Sequence, residues 1–371
     1  MPKLTVELKR VVDDTYDIEI GRNLVKSLID DIKNGICKNA SRYVIITDSN
    51  VEPLYAQTIK NELLKENIRV DMISFEAGEE SKTRQTKEML EDTMIDIGCK
   101  RDCAIIAVGG GVVSDVAGFT AGTFGRGVDF LVYSTTLLSA ADASVGGKTA
   151  VDTPVATNLI GLFNQPKKVY IDIDTWKTLS HRQLLCGISE TIKHACLADN
   201  ELFEYLENNI DKVISLDEDA CNYISQKNCS IKMNVVMKDE RESGLREVLN
   251  LGHTVGRAIE TLSEFRLLHG EAVSIGLVAQ AKLSQSLGYL DENSCQRVIN
   301  LLEKSGLPIA IPDYIDISEL CKKLFTDKKV RNGKLRFVLQ NGVGSVCEFD
   351  NGKYSTEIDI QLIEKILKEM R

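Results

Sequence analysis

Four histidines are the whole imidazole complement of this 371-residue chain: His181, His194, His253 and His269. Two stand where helical spacing is about to begin. His253 follows Asn250-Leu251-Gly252, and His269 is followed by Gly270-Glu271. Polar residues and then apolar helical faces come after each, the arrangement that aims a side chain from a helix start into a cleft. A third ligand must come from elsewhere, and Glu190 is a candidate, in Gly187-Ile188-Ser189-Glu190-Thr191-Ile192-Lys193-His194. Glu190 and His194 are i,i+4 neighbours on one helical face, so spacing alone nominates His194 as well. Two histidines and a carboxylate with an open fourth position would form a catalytic zinc set. The separation in sequence is large, and ordinary hydrogen-bonded histidines would look the same.

A second chemistry is suggested by Gly109-Gly110-Gly111, which follows a predicted strand and precedes a predicted helix. Glycines there let backbone approach a ligand, and a helix N-terminus offers free N–H groups to a phosphate. The run lacks the dinucleotide fingerprint, because Ser114 occupies the third glycine position, and a plain βα turn would read alike. Other strand ends also carry polar or glycine residues: Asp48 with Asn50, the stretch 78–82, and Thr135 with Thr136. Lys148, Lys193, Lys232, Arg246, Lys328 and Lys329 lie near these motifs. The formal net charge is −10. Cations gathered inside an acidic envelope suit an anionic small molecule held by charge-assisted hydrogen bonds, and the acidity disfavours nucleic acid or an anionic membrane as partner.

The elements that must position these residues divide the chain in two. Tyr43–Thr47, Arg69–Phe75, Cys103–Val108, Asp129–Tyr133 and Val169–Asp172 read as strands, the apolar run Cys103–Val108 as a buried parallel one. Helical spacing over 51–67 and 81–98 alternates with them. The pattern predicts an α/β fold with a mostly parallel, Rossmann-like sheet over residues 1–174. From 175 to 371 helical periodicity dominates, over 182–198, 200–214, 220–237, 249–262, 270–288 and 294–305, with strand character only at 335–339 and 345–348. That predicts a second, mainly helical domain packed tightly on the first, with a cleft between them. Ten cysteines without a C-x-x-C pair read as reduced and mostly buried, an intracellular, cytoplasmic pattern. The N-terminal residues carry no signal-peptide h-region, and no apolar run approaches a membrane span.

Taken in order, these segments resemble the 3-dehydroquinate synthase family of the sugar-phosphate cyclase superfamily. The carriers are GGGVVSDVAGF at 109–119, RG at 126–127, STTLL at 134–138, DASVGGKT at 142–149, NLIG at 158–161, QP at 165–166, SETIK at 189–193, DERESGLR at 239–246, NLGHT at 250–254, HGEA at 269–272 and DKKV at 327–330. The resemblance implies an NAD-binding α/β domain and a helical metal-binding domain. It implies conversion of 3-deoxy-D-arabino-heptulosonate 7-phosphate to 3-dehydroquinate and phosphate in the shikimate pathway. NAD is recycled within each turnover, zinc or cobalt is the metal, and homodimers are usual. Carried over, the metal ligands are Glu190, His253 and His269; His194 stands where the family more often has Tyr and is set aside. NAD lies against Asp48, Asn50, Ala77, Gly78, Glu79, Glu80, Ser81, Lys82, Gly111, Val112, Val113, Ser114, Asp115, Thr135, Thr136, Lys148, Thr157, Thr175, Trp176, Lys177 and Thr178. Substrate is held by Asp142, Lys148, Asn158, Lys193, Lys232, Arg246 and Asn250. Arg126 and the pair Lys328/Lys329 serve the phosphate, Arg126 by reaching the partner subunit's site.

The chain departs from the family pattern at two positions. Thr157 stands where the family has a lysine, and Arg257 where it has a second histidine. Arginine binds phosphate well but cannot act as a base near neutral pH. Arg257 is expected to supply the cation that Thr157 removes. Competing readings are a sibling cyclase acting on another sugar phosphate, a metal-dependent polyol or glycerol-phosphate dehydrogenase of the same fold, and a catalytically silent NAD- or metal-binding protein.

Overall fold

A computed structural model describes residues 3–9, 11–154, 156–264, 266–325, 334–350 and 352–371. The first half runs β1 (Asp17–Gly21), α1 (Val25–Lys33), β2 (Arg42–Asp48), α2 (Gln57–Lys65), β3 (Val70–Phe75), α3 (Arg84–Asp96), β4 (Cys103–Gly109), α4 (Gly111–Thr123), β5 (Asp129–Ser134), β6 (Lys148–Thr153), β7 (Ala156–Phe163) and β8 (Lys168–Asp172). Six strands form one sheet in the order β1-β8-β5-β4-β2-β3, parallel throughout. Alternate side chains leave opposite faces of a strand, and the two faces here fill separate apolar clusters. Val44, Ile46, Ile105, Ala107, Phe130, Val132, Val169 and Ile171 join the cluster that continues into the helical half. Tyr43, Ile45, Ala104, Ile106, Leu131, Tyr133 and Tyr170 pack under α1 and α2. Burial on both faces is why these strands read as continuous apolar runs.

The chain leaves β2 toward β3 on one side, then returns through α3 to β4 on the other. Ligands in such sheets bind beyond the strand carboxyl ends at this reversal. Asp48 and the glycine turn 109–111 sit at those two ends. The antiparallel hairpin β6–β7 was not expected from sequence. Thr83 bridges Asp152 of the hairpin, which ties it to the start of α3.

The second half comprises α5 (His181–Ala198), α6 (Asn200–Ile214), α7 (Glu218–Lys238), α8 (His253–Leu262), α9 (His269–Ser286), α10 (Glu292–Lys304), α11 (Ile317–Leu324), short strands β9 (Arg336–Phe337), β10 (Gln340–Gly342), β11 (Ser345–Val346) and β12 (Thr356–Glu357), and α12 (Ile360–Lys368). Ser180 and Gln183 form a reciprocal capping box at the start of α5. Two glycines bring three helices to backbone contact. A Cβ at Gly276 would lie 1.9 Å from the Gly252 carbonyl oxygen, and one at Gly270 would lie 2.3 Å from Cys186 Cα. Any larger residue would separate α8 from α9, or α9 from α5. The α8 and α9 starts therefore converge on the middle of α5. All ten cysteines are buried free thiols. Among the described residues no helix is long and apolar enough to cross a membrane.

Candidate active site

Glu190 on α5 is fully buried, and His253 and His269 open α8 and α9. Their convergence brings one ligand atom from each within 4.8 Å of the others. Glu190 Oε1 lies 3.6 Å from His253 Nε2 and 3.3 Å from His269 Nε2. Each imidazole is oriented from behind. His253 Nδ1 meets the Leu251 carbonyl at 3.1 Å, and His269 Nδ1 meets Glu260 Oε2 at 3.2 Å. Both Nε2 atoms thus face the same point, with the opposite ring nitrogens held by a carbonyl and a carboxylate as in a metal-binding histidine pair. Burial pushes His253 well below the usual imidazole range. Burial also opposes charge on His269, but Glu260 and Glu190 outweigh it and raise the group to about 10. Two imidazoles and a carboxylate sharing one focus fit zinc or cobalt.

A cationic cluster adjoins this point. Lys193 is fully buried, ion-paired with Glu190, and 3.7 Å from Asp142. Lys232 reaches Asp142 Oδ1 at 2.9 Å and also bonds its carbonyl. Burial would raise Asp142, yet Lys193 and Lys232 hold it well below the usual carboxylate range. Asp142 sits in the helical turn Ser139–Ala143 after β5, so the sheet half supplies the counter-ion for two lysines of the helical half. Arg246 is buried and donates to the Gly146 carbonyl at 2.9 Å and to the Glu240 carbonyl. Asp239 accepts from the Ser243, Gly244 and Arg246 amides at 2.8, 2.7 and 3.0 Å, which folds the loop carrying Arg246. Those donors offset burial and depress Asp239 to about 2. Glu242 pairs with Lys148 and accepts from Asn250 Nδ2 at 2.8 Å.

The crevice at the sheet end is built differently. Gly110 caps α4 and Gly111 begins it; a Cβ at Gly110 would press Thr136 at 3.1 Å. Thr135 donates its amide to the Gly109 carbonyl at 3.0 Å, while its buried hydroxyl oxygen has no hydrogen-bond partner among the described residues. Asp48 accepts from the Asn50 and Val51 amides at 2.9 Å each, closing the turn after β2. Lys82 is buried and pairs with Asp115 at 2.5 Å and with Glu79 at 3.7 Å. Burial opposes its charge, but Asp115, Glu79 and Asp152 hold Lys82 above the usual lysine range. Backbone-lined strand ends and a helix start, beside a buried hydroxyl that bonds no other described residue, fit a dinucleotide. The two regions touch electrostatically: His269 acts on Glu79, Lys82 on Glu260, and Lys232 on Asp115.

Most residues singled out from sequence lie around this junction. Ala77, Gly78, Glu79, Glu80 and Ser81 form the turn after β3, and Ser114 turns its hydroxyl back to the Gly111 carbonyl at 3.0 Å. Val112 and Val113 lie in the first turn of α4. Thr175 and Thr178 meet Tyr55 at the carboxyl end of the sheet, while Trp176 is core and Lys177 is exposed and paired with Asp174. Asn158 accepts from Lys82 at 2.6 Å, so it joins the crevice rather than the Lys193 cluster. Thr157 is beside it on β7. Arg257, on α8, acts on Asp152, Lys193 and His253. Arg126 is not brought in: it is exposed beyond the far end of α4, about 20 Å from the glycine turn. Lys328 and Lys329 lie outside the described residues. Glu260, Asp239, Glu242 and Asp152 were missed by sequence reasoning. Glu260 carried a signal seven residues after His253 on the same helix face, and Asp239 and Glu242 lie within the DERESGLR motif at 239–246.

The sheet, its crevice and the helical cluster define a class, the sugar-phosphate cyclase fold. A solved structure of 2-deoxy-scyllo-inosose synthase complexed with carbaglucose-6-phosphate, NAD+ and Co2+ superposes with a TM-score of 0.87 at 27% identity, covering 95% of this chain and 96% of that one. A 2-epi-5-epi-valiolone synthase from Streptomyces hygroscopicus subsp. jinggangensis, with NAD+ and Zn2+ bound, shares the fold with a TM-score of 0.86 at 24% identity over 99% and 98%. Within that class, residues 72–186 match the 3-dehydroquinate synthase N-terminal family and residues 187–330 its C-terminal family. The 3-dehydroquinate synthase of Thermoanaerobacter sp. (strain X514) is 42% identical over 349 residues, 93% of this chain and 96% of that protein. The chain belongs to the 3-dehydroquinate synthase family.

Proposed function

We infer that this chain converts 3-deoxy-D-arabino-heptulosonate 7-phosphate to 3-dehydroquinate and phosphate, using NAD and a zinc or cobalt ion. The observation that carries it is the convergence of Glu190, His253 and His269 on one point, beside the Asp142–Lys193–Lys232 cluster and the β2/β4 crevice. When bound, NAD accepts and returns a hydride and the ion acts as a Lewis acid. Glu190, His253 and His269 would hold the ion; Gly111–Asp115, Thr135, Thr136 and Lys82 would border the nucleotide. Lys148, Lys193, Lys232, Arg246 and Asn250 would bind the two anionic ends of the substrate and orient it between the groups. Residues 1–174 would form the nucleotide domain and 175–371 the metal and substrate domain.

Arg257 is assigned the charge that Thr157 lacks. Its action on Asp152, whose Oδ1 binds the Asn158 amide at 2.6 Å, supports that reading. A cytoplasmic homodimer is the assembly we favour, supported by Leu4, Val6, Leu8, Val11 and Val12, which stand 68–101% exposed ahead of β1. In that dimer Arg126 would serve the partner's site.

The test is a turnover assay on metal-reconstituted protein with catalytic NAD. Equal release of phosphate and dehydroquinate, abolished by a chelator and without net NADH, is the expected result. Net NADH would instead indicate a polyol dehydrogenase. No turnover in protein that binds NAD and metal would favour a sibling cyclase.

A further inference from the structure

Tyr16 stands just ahead of β1, outside every sequence motif that led to the site, yet its hydroxyl reaches the site's edge. The Gly146 amide donates to the Tyr16 hydroxyl oxygen at 3.0 Å. On the other side of the same residue, the Gly146 carbonyl accepts from Arg246 Nη2 at 2.9 Å. One glycine is thus held between a phenol of the sheet half and a guanidinium of the helical half. The Tyr16 ring packs against the main apolar cluster, which fixes the direction of its hydroxyl. Burial raises the phenol above its usual range against the pull of Arg246, so it remains a neutral acceptor near neutral pH.

The turn at this glycine is set by its outside partners. Gly146 and Gly147 have φ of +92° and +65°, the left-handed region. Neither carries a Cβ to limit rotation of its peptide groups. The surroundings admit none: a Cβ at Gly146 would lie 2.5 Å from Arg246 Nη2, and one at Gly147 2.5 Å from Gln165 Cδ. Asn164 donates its amide to the Gly147 carbonyl at 2.8 Å. Gln165 Nε2 reaches Glu240 Oε1 at 3.1 Å, and the Glu240 carbonyl accepts from Arg246 Nη1. Arg246 is therefore oriented by two carbonyls, one on its own loop and one on the turn that Tyr16 pins. It is also one of the cations assigned to the substrate.

We propose that Tyr16 is a positioning residue for substrate binding: its hydroxyl fixes the Gly146 peptide and, through the Gly146 carbonyl, the Arg246 guanidinium. The proposal rests on the cyclase reading above, which gives Arg246 an anionic substrate. Without the hydroxyl the Gly146 amide lacks its acceptor, and an unpaired amide is unfavourable. The two glycines let the turn rotate toward another acceptor, which carries the Gly146 carbonyl away from Arg246. A displacement of about 1 Å in an anion-binding group is enough to weaken the grip on a substrate.

The test uses full-length protein loaded with NAD and Co2+, and measures steady-state turnover of the heptulosonate phosphate. Tyr16→Phe keeps the ring and removes the hydroxyl. It should raise KM about tenfold and leave kcat within about twofold, because Arg246 holds the substrate alike before and during reaction. NAD affinity and cobalt stoichiometry should match wild type. A double-mutant cycle with Arg246→Lys separates action through Arg246 from an independent effect. Adding Tyr16→Phe to Arg246→Lys should lower kcat/KM by less than about twofold further. A further loss of roughly tenfold, the product of independent effects, would overturn the proposal.

An unchanged KM in Tyr16→Phe would also overturn it. So would a fall in kcat in place of the rise in KM. A parallel loss of NAD or cobalt would make Tyr16 a general support of the fold and overturn the positioning role. Should Tyr16→Phe fail to fold, hydrogen exchange in wild-type protein decides. The Gly146 amide should be protected, and protected further when a phosphonate analogue of the heptulosonate is bound. Equal exchange with and without the analogue would overturn the proposal. Wild type without turnover overturns the functional reading together with it. Wild-type turnover with an unaffected Tyr16→Phe overturns the positioning role alone.

Discussion

The crevice at the sheet end and the cluster in the helical half do neighbouring work by different means. The crevice is mainly backbone: strand ends, a glycine turn and the start of α4, with buried Lys82 and half-buried Asp115 as its paired charges. The cluster is mainly side chains from α5, α7, α8 and α9, and each buried charge there leans on another. Lys193 depends on Glu190 and Asp142, Lys232 on Asp142, and His269 on Glu190 and Glu260. Backbone at strand ends tolerates local change, because its shape is set by the sheet. A buried ion network does not, because deleting one member strands the opposite charge.

That contrast is sharpest at Glu190. Glu190→Ala removes a ligand and the carboxylate facing Lys193, so bound metal should fall below stoichiometric and turnover by at least ~1000-fold. Metal analysis alongside the assay checks this; a variant retaining full metal would break the proposed ligand set. Asp142→Asn should destabilise the fold by about 3 kcal/mol, since two buried ammonium groups lose their shared partner. Denaturant unfolding measures it, and a loss below ~1 kcal/mol would show that solvent already compensates the lysines.

Smaller effects follow for residues acting through others. Glu260→Gln should lower metal affinity by roughly 10–100-fold, as expected for a carboxylate orienting a histidine ligand. Competition with a chelator reads the change. Arg257→Ala should raise the substrate KM by about tenfold with little change in kcat if it supplies the missing cation. On the crevice side Gly110→Ala places a Cβ 3.1 Å from Thr136. It should weaken NAD binding by up to ~10-fold at a stability cost of about 1 kcal/mol. A cost as large as that of Asp142→Asn would erase the difference between the two regions.

A purely pH-dependent effect is expected at Asp239, depressed to about 2 by the amides of its loop. A depressed carboxylate contributes stability above its unfolded value near 3.8 and loses it as pH falls toward the folded value. Asp239→Ala should therefore flatten the pH dependence of stability between about pH 4 and pH 2, with parallel curves above. Acid titrations of both proteins test this.

Sequence and structure agree most closely where information is local. The runs at 43–47, 103–108 and 129–133 are strands because a strand buried on both faces must be short and apolar. Helical spacing placed α5 to α10 within a few residues of their observed ends. The hairpin β6–β7 escaped notice because its strands carry lysine, aspartate, threonine and asparagine and face partly outward. Strand β1 escaped because its polar–apolar alternation spans only Asp17-Ile18-Glu19-Ile20, too short a run to stand out. Ligand candidates could be named from the helix starts at His253 and His269, but spacing could not choose between Glu190 and His194.

By itself, the sequence determined the alternation of strands and helices, the glycine turn, and an inventory of histidines, lysines and carboxylates able to bind a metal and an anion. Order along the chain also determined the family resemblance. Only tertiary structure decided which of those groups meet. Glu190 and His194 share one helix face, yet α8 and α9 converge on Glu190, because Gly270 and Gly276 admit backbone contact there. His194 is instead held by Asn228 on α7, some thirty residues away. Helical period assigns a face, whereas the pairing of buried charges depends on distances between helices that no local pattern encodes.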